Sequence, residues 1–144
     1  MIAIGCDHGG YELKCAIINH LSDKKIEFLD LGCSGESCDY PDIAEKVCEK
    51  VTSGECKLAI LVCGTGIGMS MAANKIKGIR AAVCSDYFSA KYTRLHNDAN
   101  VLCLGGRVLG AGLALELVDV FLETEFEGGR HINRINKMMK LEEK

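Results

Sequence analysis

The chain has 144 residues, 48% of them hydrophobic and 26% charged, and its net charge at pH 7 is −3. These proportions suit one soluble globular domain over residues 1–144 and exclude the disordered, collagen-like and membrane-spanning classes. The charge balance argues against nucleic acid or an anionic membrane as the main partner. The first ten residues lack a signal-peptide core, so we expect a cytoplasmic protein.

Short β-branched runs alternate with longer segments of helical periodicity along the whole chain. The pattern predicts strands at 2–6, 27–31, 58–63, 81–84 and 101–105, and helices at 11–24, 43–51, 66–74, 85–95, 109–123 and 130–140. Pro41 is expected in the loop before the second helix. Because alternating strands and helices imply right-handed crossovers, we predict a Rossmann-like, doubly wound parallel sheet of five strands. Helices should cover both faces, and the last helix should follow the domain as a C-terminal addition.

The nine cysteines form no C-x-x-C pair, and their number is odd. This spacing argues against a zinc site, and without secretion a disulfide framework is equally unexpected. We therefore predict no metal and interpret most thiols as small buried hydrophobes. A thiol redox protein stays open as an alternative, although the missing C-x-x-C argues against it.

Ligands of such sheets bind beyond the carboxyl ends of the strands, which selects the loops at 6–10, 63–68, 85–86 and 105–107. The loop C-G-T-G-I-G departs from the dinucleotide pattern and lacks the lysine of a P-loop. It does offer successive backbone N–H groups at a helix amino terminus, which form an anion-binding nest. Cys63 stands directly before them, where the helix dipole favours a thiolate. The alternative is a buried cysteine ahead of an ordinary tight turn.

Polar residues near two other predicted element ends are candidates for function. Asp7 and His8 follow the first strand and should lie beside the Cys63 loop if the first and third strands are neighbours. The alternative is that Asp7 is a helix cap and His8 a surface residue. His96 and Asn97 end the fourth helix, where the dipole favours a charged imidazole. A capped helix end is the alternative there.

Arginines mark a candidate phosphate site. Arg130 and Arg134 are spaced i, i+4 and share one face of the last helix, with His131 between them. Such a basic fork fits a terminal phosphate, whereas the alternative is a solvated face paired with nearby glutamates. Arg107, at a strand end, is a third candidate.

Six stretches together resemble the ribose-5-phosphate isomerase type B family, which includes galactose-6-phosphate and allose-6-phosphate isomerases. They read I-G-C-D-H-G-G-Y-E-L-K, D-Y-P-D-I-A, C-G-T-G-I-G, G-I-R-A-A-V-C-S-D, R-L-H-N-D-A-N-V-L-C-L-G-G-R and F-E-G-G-R-H. They keep their order from the first strand to the last helix, so the resemblance covers essentially the whole chain.

The resemblance implies a cofactor-free aldose–ketose isomerase acting on ribose 5-phosphate and ribulose 5-phosphate in the pentose phosphate pathway. It makes Cys63 the base that moves a proton between C1 and C2, and His96 the group that opens the sugar ring. A second branch of the family uses a glutamate where this chain has Met69, so the chain resembles the cysteine branch. The resemblance further implies that the glycine loop stabilises the enediolate through Gly64, Thr65, Gly66, Ile67 and Gly68. It implies that the sugar is bound by Asp7, His8, Tyr40, Asn97 and Arg107. The phosphate would be held by Arg130 and Arg134.

Family members are dimers or tetramers with sites shared between subunits, so a homo-oligomer is expected. Besides the thiol redox protein, two alternatives to a pentose phosphate isomerase remain open. One is an isomerase of a six-carbon sugar phosphate, allose 6-phosphate or galactose 6-phosphate, because the sequence does not show the pocket length. The other is a non-catalytic phosphate-ligand or flavin-binding module. That module would explain the glycines but leave Cys63, His96 and the arginine pair without a common purpose.

Overall fold

A computed structural model describes residues 1–144, and its elements follow the predicted alternation. The strands are β1 (Ile2–Cys6), β2 (Phe28–Asp30), β3 (Leu58–Cys63), β4 (Ala81–Val83) and β5 (Val101–Gly105). The helices are α1 (Tyr11–Asp23), α2 (Tyr40–Thr52), α3 (Ile67–Ala73), α4 (Tyr87–Asn97), α5 (Ala111–Glu123) and α6 (His131–Lys140). Single 3-10 turns lie at His8–Gly10 and Leu141–Glu143. None of these helices has the length and apolar content that crossing a membrane requires.

The five strands form one parallel sheet in the order β2-β1-β3-β5-β4. The predicted neighbourhood of β1 and β3 is confirmed. The chain leaves β1 toward one edge of the sheet and leaves β3 toward the other, so the switch point lies between these two strands. Because β5 lies between β3 and β4, the loop after β5 borders the loop after β3.

Strand β3 is buried on both faces, and its side chains alternate between two cores. Ile60 and Val62 belong to the core that α1 and α5 cover. Leu61 and Cys63 belong to the core under α2 and α3. The doubly wound, two-faced architecture is therefore confirmed, and the side chain of Cys63 lies on the α2–α3 side of the sheet.

The start of α2 differs from the prediction. The helix begins at Tyr40 rather than Ile43, and Pro41 lies in its first turn instead of in the preceding loop. Proline suits this position because an N–H in the first turn has no intrahelical acceptor. As a consequence, Tyr40 is held by a helix rather than by a loop.

Candidate active site

Cys63 ends β3 with its side chain turned toward the amino end of α3. The residue is 5% exposed, and its Sγ accepts a hydrogen bond of 3.1 Å from the backbone N–H of Gly66. Gly66 has φ +80°, and a Cβ on it would lie 2.9 Å from the carbonyl carbon of Leu104. Both the backbone angle and the contact with β5 require glycine here. The turn therefore aims a backbone donor at the sulfur.

The loop after Cys63 also presents backbone donors that no group of the chain uses. The N–H of Ile67 is held by the Thr65 hydroxyl, and that of Gly66 by the Cys63 sulfur. No hydrogen bond within the chain engages the N–H groups of four further residues: Gly64, Thr65, Gly68 and Met69. Free donors at a helix amino terminus stabilise negative charge.

The loops after β1 and β5 pack against the Cys63 loop through their backbones. Asp7 is buried, and its Oδ1 accepts a hydrogen bond of 2.9 Å from the N–H of Gly9, so it does cap the 3-10 turn. The neighbouring His8 is exposed. Gly106 donates to the carbonyl of Cys63 at 2.8 Å, and a Cβ on it would lie 2.7 Å from the carbonyl oxygen of Gly9. Three loops thus meet at the end of the sheet that is formed by the carboxyl ends of the strands.

Tyr40 and Arg107 flank the glycine loop from two sides. A Cβ on Gly68 would lie 2.8 Å from Cε1 of Tyr40, and one on Gly64 would lie 3.3 Å from Nη1 of Arg107. The backbone N–H of Arg107 also donates to the carbonyl of Gly64 at 2.9 Å. The predicted site residues at the carboxyl ends of the strands form what we call the carboxyl-edge cluster: Asp7, His8, Tyr40, Cys63, Gly64, Thr65, Gly66, Ile67, Gly68 and Arg107.

His96 and Asn97 lie at the opposite end of the sheet, where the strands begin. Helix α4 starts beyond the carboxyl end of β4 and runs back for 11 residues, about 16 Å, before it ends at Asn97. Three residues later, the carbonyl of Asn100 accepts a hydrogen bond of 3.0 Å from Ala59, near the amino end of β3. Ala59 and Cys63 are about 13 Å apart along the strand. The structure therefore does not bring His96 and Cys63 together within one chain.

The arginine pair lies with His96 and not with Cys63. The imidazoles of His131 and His96 stack with ring centroids 4.2 Å apart, which places the start of α6 beside the end of α4. Arg130 and Arg134, on either side of His131, are both exposed. Helix α6 therefore lies along the amino edge of the sheet and does not cross the mouth above Cys63. These predicted residues form what we call the amino-edge cluster: His96, Asn97, Arg130 and Arg134.

His131 is not part of a cationic fork, which corrects the sequence-based expectation. The residue is 4% exposed, and its Nε2 has no hydrogen-bond partner. Burial lowers the pKa of His131, and the neighbouring His96 and Arg130 lower it further. The ring is buried because α6 turns this residue and Ile135 inward. His131 therefore packs beneath His96 as a neutral imidazole.

Glu127 is a neighbour of His96 that the sequence reasoning missed as a site residue. Its Oε2 lies 3.8 Å from Nε2 of His96, and its Oε1 lies 4.0 Å from Nε2 of His131. The i, i+4 spacing of Glu127 and His131 was the available signal. These three residues are also the group whose potential metal-binding atoms all lie within 4.8 Å of one another. The rings are within 16° of parallel, so their lone pairs do not converge on one ion.

The other thiols behave as the sequence predicts. All nine cysteines are free, and seven of them are buried. Burial raises the pKa of Cys6 and of Cys48 to about 12, so both stay protonated near neutral pH. The Sγ atoms of Cys6 and Cys33 are 4.0 Å apart, but both residues are buried in the core that α1 and α5 cover. Cys63 is distinguished from them by the backbone donor aimed at its sulfur.

The chain is similar to known proteins over almost all of its length. The model of the family described as Ribose/Galactose Isomerase matches residues 2–138. Ribose-5-phosphate isomerase B of Escherichia coli is 48% identical over 144 residues, covering 99% of this chain and 97% of the relative. The structure of Clostridium thermocellum ribose-5-phosphate isomerase B is 52% identical with a TM-score of 0.96, covering 99% of this chain and 97% of that one.

A further solved structure contains a ligand. It is ribose-5-phosphate isomerase B of Mycoplasma genitalium with bound ribulose-5-phosphate, 44% identical with a TM-score of 0.94. It covers 99% of this chain and 96% of its own. The match to the family model, the identity and the shared fold extend over both clusters described above. This chain belongs to the ribose/galactose isomerase family.

Proposed function

We propose that the protein is an aldose–ketose isomerase that interconverts ribose 5-phosphate and ribulose 5-phosphate without a cofactor. The observation that carries the proposal is the Cys63 thiol, which faces backbone donors at the start of α3. The names of the Escherichia coli and Clostridium thermocellum relatives, and the ligand of the Mycoplasma genitalium one, support the same substrate. Nine free cysteines favour a reducing compartment, which supports a cytoplasmic location.

The chemistry of this isomerisation matches the carboxyl-edge cluster. A base must take the proton from C2 of the aldose and return it to C1, and donors must stabilise the enediolate formed in between. Cys63 supplies the base. The unengaged N–H groups of the glycine loop supply donors where charge develops, and each such donor contributes about 3 kcal/mol in comparable sites. Asp7, His8, Tyr40 and Arg107 then line the sugar.

Ring opening requires a second copy of the chain. The ring oxygen is bonded to C1, so the group that protonates it must act within one bond of the carbons that Cys63 serves. His96 is the candidate for this step. Within one chain, however, it lies at the opposite end of the sheet, and the distance along β3 from Ala59 to Cys63 alone is about 13 Å. We therefore propose that the amino-edge cluster of one subunit completes the carboxyl-edge cluster of another. A two-fold dimer makes both contacts at once and yields two composite sites.

The surface between the two clusters supports such a dimer. Exposed apolar side chains lie on α3, β4 and the start of α4, and Met71 and Phe88 are 65% and 66% exposed. An apolar patch of this kind is typical of a protein–protein interface. Beside it, a cavity of about 340 Å³ between β4 and α4 is lined by nine residues that include Phe88, His96 and Asn97. A partner covering the patch would close this cavity over His96.

The proposed activity is tested by incubating the protein with ribose 5-phosphate in D₂O and following ribulose 5-phosphate by proton NMR. We expect product together with exchange of the C2 proton, because the thiol that takes this proton exchanges it with solvent before returning it to the sugar. Allose 6-phosphate and galactose 6-phosphate belong in the same panel. A faster reaction with either of them would identify a six-carbon sugar phosphate as the substrate. The absence of turnover with every sugar phosphate would favour the non-catalytic binding module.

The composite site is tested by mixing two inactive variants, Cys63→Ala and His96→Asn. After subunit exchange, a hybrid dimer combines the intact Cys63 of one chain with the intact His96 of the other. We expect activity to return in the mixture but not in either variant alone. No recovery, with exchange confirmed by mass spectrometry of differently tagged chains, would show that both residues act within one chain.

A further inference from the structure

Arg80 belongs to neither cluster, and its side chain is engaged by the end of α4. Its Nε donates to the carbonyls of Asn97 and Asp98 at 3.1 and 3.0 Å, and its Nη2 donates to the carbonyl of Asp98 at 2.8 Å. The side chain is 18% exposed. The last carbonyls of a helix have no intrahelical partner, and a guanidinium satisfies them with charge-assisted hydrogen bonds. Arg80 thus caps the helix that ends in His96 and Asn97.

The turn that Arg80 caps has an uncommon backbone. Asp98 adopts φ 45° and ψ 44°, a left-handed backbone conformation that residues other than glycine rarely adopt. A second guanidinium, that of Arg94, donates to Oδ1 of Asp98 at 2.8 Å and to the carbonyl of Ala99 at 2.6 Å. The turn after Asn97 is therefore held between two arginines and has little freedom to relax on its own.

Arg80 is itself fixed to the sheet and to α6. Its backbone N–H donates to Oδ1 of Asn100 at 2.7 Å, and its carbonyl accepts from the N–H of Asn100 at 2.9 Å. Its Nη1 lies 3.6 Å from Sδ of Met139, near the end of α6, the helix that carries Arg134. One residue therefore connects these elements: its backbone bonds Asn100 next to β5, and its side chain bonds the end of α4 and contacts α6.

We propose that Arg80 is a positioning residue, which holds His96 and Asn97 at the angle from which they complete the site of the partner subunit. The proposal rests on the isomerase function and the composite dimer proposed above. Arg80 lies outside both clusters, and it acts through the last turn of α4. Lysine cannot replace it, because an ammonium lacks the planar fork that reaches two carbonyls and a third acceptor at once.

The variant that tests the proposal is Arg80→Lys, with Lys77→Met as the control. Lys77 is an exposed cation three residues away in the sequence. Rates are compared on ribose 5-phosphate, which must open its ring, and on erythrose 4-phosphate, whose blocked 4-hydroxyl prevents ring closure. We expect Arg80→Lys to lower kcat on ribose 5-phosphate at least about tenfold more than on erythrose 4-phosphate, as misplacement of His96 should. Equal losses on both substrates, or a ratio like that of Lys77→Met, would overturn the proposal.

Subunit mixing assigns the defect to one cluster. Arg80→Lys mixed with Cys63→Ala should regain activity, because the Cys63→Ala chain supplies an intact amino-edge cluster to the intact Cys63 of the other chain. Mixed with His96→Asn, it should regain none above its own rate. The opposite pattern would overturn the proposal. A general loss of folding would instead lower the unfolding temperature and the soluble yield of Arg80→Lys itself.

A third readout does not depend on catalysis. The ring signals of His96 and the side-chain amide signals of Asn97 should shift in the NMR spectrum of Arg80→Lys, while those of His8, at the far edge, should not. Unmoved His96 and Asn97 signals would overturn the positioning role even if the wild-type protein converts no sugar phosphate. If the wild type is inactive but the signals shift, the proposed isomerase function is overturned. The positioning of His96 and Asn97 by Arg80 is then still supported.

Discussion

The backbone N–H of Gly66 donates to the Sγ of Cys63 across a turn that only glycine allows at φ +80°. The hydrogen bond stabilises a sulfur that carries negative charge, because charge-assisted hydrogen bonds are stronger than neutral ones. It also fixes the direction of the side chain at the end of β3. The backbone donor and the fixed direction of the side chain together distinguish Cys63 from the buried cysteines of the two cores.

Replacement of Cys63 should abolish catalysis without unfolding the protein. We expect Cys63→Ala to lower kcat by at least about 100-fold, the usual contribution of a general base, and Cys63→Ser to be almost as poor because a hydroxyl is far less acidic. The readouts are steady-state rates and circular dichroism, with Cys15→Ala as a control for a half-exposed thiol outside the site. Near-full activity of Cys63→Ala would contradict the mechanism. Alkylation by iodoacetamide should be fastest at Cys63 and slowed by substrate.

Replacement of His96 should affect cyclic substrates more than open-chain ones. His96→Asn removes the group that we propose exchanges a proton with the ring oxygen, so the rate on ribose 5-phosphate should fall much further than the rate on erythrose 4-phosphate. His20→Asn is the control, since its imidazole bonds Asp119 at 2.8 Å on a different surface. Parallel losses on the two substrates would assign His96 to binding alone.

The exposed arginines should contribute mainly to substrate affinity. We expect Arg130→Ala and Arg134→Ala each to weaken phosphate binding by about 1.5 to 3 kcal/mol, the range for a hydrogen bond to a charged group. The loss should appear in KM, with a smaller fall in kcat where anchoring also orients the sugar. Lys137→Ala, an exposed cation on the same helix, is the control. Inorganic phosphate should inhibit the wild type and lose its effect in both arginine variants.

The buried His131 should make the protein less stable in acid. Its folded pKa lies below the ordinary value of about 6.5, so the unfolded chain binds more protons as the pH falls through that value. The unfolding temperature should therefore drop between pH 7.5 and pH 5.5, and His131→Phe, which keeps a ring stacked under His96, should reduce this drop. His8→Phe, at an exposed position, should leave it unchanged. An identical drop in the wild type and in His131→Phe would show that His131 is not responsible.

The strands could be predicted from the sequence because their boundaries are local. β1, β3 and β5 are apolar runs that end at small or polar residues, and all three begin and end where the pattern places them. The position of Cys63 between a buried strand and a glycine-rich helix start was equally readable from the sequence, while its role in catalysis stays a prediction. The first turn of α2 escaped prediction because Tyr40 and Pro41 read as a loop, although proline is compatible with that turn.

The division of the site into two clusters needed three-dimensional information. His96 and Cys63 both lie at element ends, and only the direction of α4 relative to the sheet shows that these ends are at opposite edges. The burial of His131 depends on how α6 packs against α4, which periodicity alone does not reveal. The contacts of Arg80 with Asn97 and Asp98 join residues 17 and 18 positions apart across two elements. No local pattern encodes such a contact.

The strand order also constrains how the chain acquires its structure. β4 is hydrogen-bonded only to β5, which follows it in the sequence, so residues 81–97 leave the ribosome before the strand that anchors them exists. Until β5 inserts, the edge of β3 is open and its unpaired backbone is a template for pairing with another chain. A polypeptide that stalls before Val101 is therefore an aggregation-prone intermediate. The carboxyl edge gains its last loop at Gly106, and the amino edge is complete only when α6 docks.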